Sequence, residues 1–273
     1  MKAGAHGLGQ SVDCDSKEPY QAHKKALDRA RGLELIGKRR RTRDNEALIQ
    51  GLSDRSPIVR VAAAAQLGNF RMARTASALN AALSDPNYEV RMTAVKSLSG
   101  LLTGGRATPE MLRLLKDRNE LVRIEASEAL VRVGDRRALV PLWAALSDRS
   151  PLVRSYVGAA IGQLGRRPDL VSLAQQLERE PSDTVRVGIL GALLSRGRSK
   201  ALGGLLALLE SPDYRVRCAT ANTLSHISVD NEMLTAAQSA LRAALLKEST
   251  VAGKSSLSSS IRAIRKALTQ KAR

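Results

Sequence analysis

Arginine and carboxylate recur in this chain at a spacing that suits ion pairing. Arg60, Arg91, Arg123, Arg154, Arg186 and Arg217 each follow a valine, and successive members stand 31, 32, 31, 32 and 31 residues apart. Six residues before each comes Asp54, Asp85, Asp117, Asp148 or Glu180, with Ser211 in the sixth place. A guanidinium at the start of a helix reaches turn carbonyls and carboxylates on its own repeat or the next. The series is therefore read as structural; the alternative is a row of arginines open to external anions.

A second set of cations falls between the repeats: Arg71, Arg74, Arg106, Arg136, Arg137, Arg166, Arg167, Arg196, Arg198 and Lys200. In a stack of helical hairpins, turns between repeats and turns within repeats lie on opposite edges. One long edge is thus predicted to be a basic stripe, with a cation cluster roughly every 10 Å. The competing reading is local, since a cation at a helix C-terminus complements the macrodipole and aids solubility.

Groups for covalent or metal chemistry are sparse. His6, His23 and His226 stand apart, and Cys14 and Cys218 are the two cysteines. They form neither a four-ligand zinc set nor a disulfide framework. No glycine-rich loop follows a strand, so no phosphate cradle is predicted. No catalytic residue, metal or cofactor is assigned. Ser255–Ser260 reads as a flexible or phosphorylatable stretch, and Cys218 as a buried small hydrophobe.

These side chains need helices to hold them. In each unit an apolar run such as Ala138–Leu146 leads through a turn, here Ser147–Pro151, into a second apolar run, Leu152–Leu164. Ala63 and Leu67, Ala94 and Leu98, Ala126 and Leu130, Val157 and Ile161, and Ile189 and Leu193 repeat three and seven residues after the arginine. That is one stripe at helical spacing. Ser56 before Pro57 and Ser150 before Pro151 read as helix starts. Gly68, Gly134, Gly165 and Gly197 read as left-handed helix ends.

The Asp-turn-Pro-x-Val-Arg pattern resembles HEAT repeats, in particular the bacterial subgroup first described in phycobilisome lyases. Gln66-Leu67-Gly68-Asn69-Phe70-Arg71 and Arg132-Val133-Gly134-Asp135-Arg136-Arg137-Ala138-Leu139 are similar to its helix-end turn. The resemblance spans about residues 44–246. It implies an all-α, right-handed α-solenoid of about six to seven helical hairpins. It also implies an Asp–Arg ladder between neighbouring units. The expected organisation is a basic leader over 1–43, disordered and then helical, the repeat array over 44–246, and a degenerate basic repeat or capping helix over 247–273.

Composition narrows the functions. The chain has 273 residues, 44 Lys+Arg against 26 Asp+Glu, 43% hydrophobic and 2% aromatic residues. So few rings argue against stacking several bases. Segments 1–43, 44–246 and 247–273 each carry +6, so the ends are the most basic per residue. No apolar run reaches membrane-spanning length, and Met1–Gln10 lacks the apolar core of a secretory signal. The cytoplasm is the expected compartment.

The inner face of the solenoid is predicted from the residues two, five and nine after each arginine. It includes Glu125, Glu128, Tyr156, Gln163, Asn222 and His226 among small side chains. Such a face suits an inserted helix better than a phosphate backbone, which needs cations. The expected function is a non-enzymatic adaptor that takes an acidic protein partner through this groove and the basic edge. Two alternatives stay open. The subgroup resemblance implies a phycobilin lyase or phycobilisome-handling chaperone holding a bilin, and the charge allows sequence-tolerant nucleic-acid or ribosome binding.

Overall fold

The computed structural model describes residues 17–39, 41–227 and 230–271. The expectations for residues 1–16, which include His6 and Cys14, lie outside the described residues. The helices are α1 (Lys17–Arg39), α2 (Asn45–Gly51), α3 (Pro57–Leu67), α4 (Ala73–Ala82), α5 (Tyr88–Leu101), α6 (Pro109–Arg113), α7 (Glu120–Val133) and α8 (Leu139–Ala145). They continue as α9 (Pro151–Leu164), α10 (Arg167–Arg179), α11 (Asp183–Ser195), α12 (Ala201–Leu208), α13 (Tyr214–His226), α14 (Asn231–Lys247) and α15 (Val251–Lys271). No strand occurs among the described residues.

The odd-numbered helices form one row. Each of α1, α3, α5, α7, α9, α11 and α13 packs on the next odd-numbered helix, while the even-numbered helices form an outer row with few contacts to one another. The chain is an all-α solenoid of helical hairpins. Its core is a continuous ribbon between the rows, in which Leu98, Leu130, Ile161 and Ile189 are almost wholly buried. Each such side chain contributes about 1.5–3 kcal/mol relative to an exposed one.

Local chemistry sets the helix ends. The Asn87 carboxamide accepts the N–H groups of Glu89 and Val90 (2.8 and 3.2 Å), and Asn119 does the same for Leu121 and Val122. Ser150 Oγ accepts from Val153 at 3.3 Å. Ser56 occupies the capping position without a capping bond, and its own N–H donates to Asp54 Oδ1 at 2.8 Å. Gly134 and Gly197 adopt φ of 78° and 77°, the left-handed region that glycine enters most cheaply. Gly68 and Gly165 depart from that expectation, with φ of −56° and −68°. Gly68 stays helical, and Gly165 leads in an extended conformation straight into the basic turn before α10.

Two further expectations are corrected. Ser255–Ser260 lies inside α15, because Leu257 and Ile264, seven residues apart, are both fully buried on one helical face. That burial outweighs the weak helix preference of serine. Cys218 is a free thiol of intermediate exposure rather than a buried one.

Candidate functional site

The turn inside each hairpin ties one unit to the next. Arg60 donates from Nε and Nη2 to Asp85 Oδ2 and Oδ1 (2.7 and 2.9 Å), and from Nη1 to the carbonyl of Asp54 (2.9 Å). Arg91 grips Asp117 through two bonds of 2.7 Å, and Arg123 grips Asp148 at 2.7 and 3.0 Å. Arg154 makes a single bond to Glu180 at 3.1 Å. Arg217 pairs with Glu248 at 2.7 and 2.8 Å. Each aspartate also accepts the N–H two residues on, as Asp85 does from Asn87 at 2.8 Å.

Burial alone would raise the carboxyl pKa of Asp85, Asp117 and Asp148. The arginine and backbone hydrogen bonds outweigh it and hold each below the ordinary range. Arg217 and the Thr250 N–H hold Glu248 down to about 2.

One rung is missing. Arg186 has no carboxylate partner among the described residues, which corrects its place in the ladder. Where its acid would stand, Ser211 donates from Oγ to Asp183 at 3.0 Å. Two rung members escaped the Val-Arg pattern. Arg29 of α1 pairs with Asp54 at 2.8 and 2.9 Å, and Glu248 closes the far end. Arg29 lies one period, 31 residues, before Arg60, so extending the period would have found it.

The cations between repeats divide into two groups. Arg74 is paired with Glu46, Arg136 with Asp169 and Arg137 with Asp135. Asp135, held low chiefly by Arg137, also accepts the N–H groups of Arg137 and Ala107. These three cations therefore serve the local structure. Arg71, Arg106, Arg166, Arg167, Arg196, Arg198 and Lys200 make no ion pair among the described residues; Arg196 donates to the Gly165 carbonyl. Five of the seven lie in two consecutive turns, before α10 and before α12. Beside them, Leu170, Val171, Ala174, Leu177 and Leu193 line a cleft of about 450 Å³, with Arg198 and Lys200 at its rim.

On the inner row, Glu125 is paired with Arg132, which also donates to Ser99 Oγ at 2.8 Å. Glu128 is half-buried and has no ion pair or hydrogen-bond partner among the described residues. Burial, and then Glu125, raise its carboxyl pKa; burial, and then the two glutamates, raise that of the neighbouring Tyr156. Gln163 and His226 face a second cleft with Ala159, Gly188, Gly191 and Ser195. The His226 ring bonds the Asn222 carbonyl at 2.8 Å, and Asn222 itself is exposed outside that cleft. No metal-binding group of His, Cys, Asp and Glu occurs among the described residues.

This alternation of paired turns and hairpins is accompanied by a sequence match. The profile of HEAT repeats matches residues 45–112, 102–162 and 170–256. The chain belongs to the HEAT-repeat family. Comparison with functionally curated proteins yields no match. Among solved structures, the HEAT array is similar to the complex of CpcE and CpcF of phycocyanin lyase from Nostoc sp. PCC7120. Identity is 20% and the TM-score 0.56, over 81% of this chain and 94% of that one. It is also similar to YibA of E. coli, at 18% identity and a TM-score of 0.51 over 97% and 99% of the two chains. At these identities the likeness concerns the fold. Within the HEAT frame, Trp143 is partly buried against the core on the outer row, while Tyr156 and Tyr214 are exposed rings on the inner row.

Proposed function

We propose that this protein is a non-enzymatic HEAT-repeat adaptor that captures an acidic protein partner on its basic edge and receives a segment of protein in its inner groove. The observation that carries the reading is the set Arg166, Arg167, Arg196, Arg198 and Lys200, five cations without ion pairs among the described residues, of which Arg198 and Lys200 line the largely apolar cleft of α10–α12 together with Glu178. Unpaired cations steer an acidic surface toward them, and the apolar cleft supplies the short-range contact. Arg71 and Arg106 extend the positive edge. Arg74, Arg136 and Arg137 contribute less, because neighbouring carboxylates already engage them.

Exchanging Arg166, Arg167, Arg198 and Lys200 for glutamate tests this. Capture of an acidic partner from the host extract at moderate salt, after nuclease treatment, falls at least about tenfold, while the helical content stays unchanged. Unchanged capture removes the edge from the mechanism. Capture that vanishes with nuclease alone supports the nucleic-acid reading instead. Likeness to the phycocyanin lyase complex supports a second reading, in which the groove holds a bilin. Its propionates would pair with arginines and Tyr156 would pack on it. Mixing the purified protein with a bilin and recording an absorption shift tests that reading.

A further inference from the structure

Among the exposed large hydrophobic residues, three share one place on the inner row. Leu121 of α7 is 48% exposed, Leu152 of α9 42% and Tyr156 of α9 37%. Leu121 and Leu152 each stand two residues before their ladder arginine, at the same height on adjacent packed helices. Glu125 and Tyr156 occupy the next turn, two residues after the arginine, and Glu128 the turn beyond. The surface is thus an apolar step leading to a carboxylate. Farther along, Gly188 lies against the Ser155 backbone and Gly191 against Thr223, beside a cleft that Ala159, Gln163 and Ser195 also line.

Glu128 is the unusual member. It is half-buried, and no cation or donor among the described residues bonds to it, although the charges of Arg132 and Lys96 reach it through space. The two cations that favour its charge do so without bonding it: Arg132 is held by Glu125 and Ser99, and Lys96 on α5 is exposed without an ion pair. Arg149 and Arg215 flank the cleft nearer the helix N-termini, where Glu120 also stands. The Tyr156 hydroxyl likewise makes no hydrogen bond among the described residues. A partly desolvated carboxylate gains most from a cation that arrives with apolar surface to exclude the remaining water. The two leucines and the tyrosine ring are placed to provide the other side of that contact.

We infer that the inner groove between α7 and α9 docks a cationic amphipathic segment of a partner protein, its Lys or Arg on Glu128 and Tyr156 and its apolar side chains on Leu121 and Leu152. This deepens the adaptor reading and rests on it for the groove being a protein site. It assigns the two faces opposite tastes, acidic partners on the edge and a basic helix inside.

The test uses two labelled helical probes of one design, a Leu/Lys 14-mer and a Leu/Glu 14-mer, with fluorescence anisotropy at near-physiological salt. The Leu/Lys probe binds despite the chain's formal charge of +18. Glu128→Gln and Tyr156→Ala each weaken it about tenfold and leave the Leu/Glu probe unaffected. Glu128→Gln removes the charge with little change of shape, and an unchanged melting temperature separates lost docking from lost folding. No binding of the Leu/Lys probe, or equal binding by Glu128→Gln, overturns the inference. The Leu/Glu probe and the Arg166, Arg167, Arg198, Lys200 charge reversal report separately on the edge, so failure there strikes the adaptor reading rather than the groove.

Discussion

Helix α11 has two inner neighbours and treats them differently. Against α9 it packs closely: a Cβ on Gly158 would stand 2.7 Å from Ile189 Cγ1, and a Cβ on Gly162 would overlap Ala192. The rung Arg154–Glu180 ties the same pair at the turn. Against α13 the helix touches closely where Gly191 meets Thr223, but the rung is absent and the shared contact is the sparsest between successive inner helices. A cleft of about 560 Å³ lies across the start of α11, lined by Leu152 of α9, Thr184 of α11, and Arg215, Val216 and Ala219 of α13. Cohesion in a solenoid is a sum of neighbour interfaces, so one weak interface divides the array energetically without breaking its fold.

Acid should produce the largest change, and it acts on the rungs elsewhere along the ladder. The folded pKa values of Asp54, Asp85, Asp117, Asp148 and Glu248 lie below their ordinary values, so their rungs stabilise the fold above about pH 4–4.5. That stability is lost progressively as pH falls toward about 2, where Glu248 also protonates. Circular dichroism melts between pH 5 and pH 2, taken as about the span of carboxylate titration, should show a steep fall in Tm. A flat profile would mean that the rungs contribute little.

Single arginines come next. Arg154→Ala leaves Glu180, which is buried, without its cation, and should cost about 2–4 kcal/mol in urea unfolding. Arg186→Ala, with no partner to lose, should cost under about 0.5 kcal/mol. Equal losses would erase the distinction between the two interfaces.

Glycine substitutions sharpen the same contrast. Gly162→Ala forces a methyl into Ala192 and should cost about 1–3 kcal/mol. Gly203→Ala, in α12 with nothing within 4 Å of its Cβ, should gain about 0.5–1 kcal/mol.

The smallest effect restores the missing rung. Ser211→Asp alone would face Asp183, which now accepts the serine hydroxyl at 3.0 Å. Combined with Asp183→Asn it offers Arg186 a carboxylate, and should add about 0.5–1 kcal/mol. Slower amide exchange confined to α11 and α13 would identify the restored tie.

The hairpins were legible because Val-Arg repeats at a helix start and the apolar stripe follows at helical spacing. Ser211 announced the gap in the ladder, since no carboxylate precedes Arg217 at the usual place. Arg29 was missed because Asp28, not valine, precedes it, although the period points to it. Glu248 was missed for another reason: α14 runs to 17 residues and Lys254 stands where the arginine would, so the register shifts. The inner cleft was legible in part: Gln163, Gly191, Ser195 and His226, five and nine residues after their arginines, line it. The cleft beside α10 and α12 was not, because it depends on how two outer helices sit and on which cations find a carboxylate. A turn sequence shows that Arg136 and Arg166 are both basic, but not that Asp169 lies beside the first.

The gap at Ser211 also bears on how the molecule would yield to tension. Drawn out by its two ends, the array should part first between α11 and α13. Two stiff rods would then share a soft joint, free to change the angle between the proposed basic edge and inner groove.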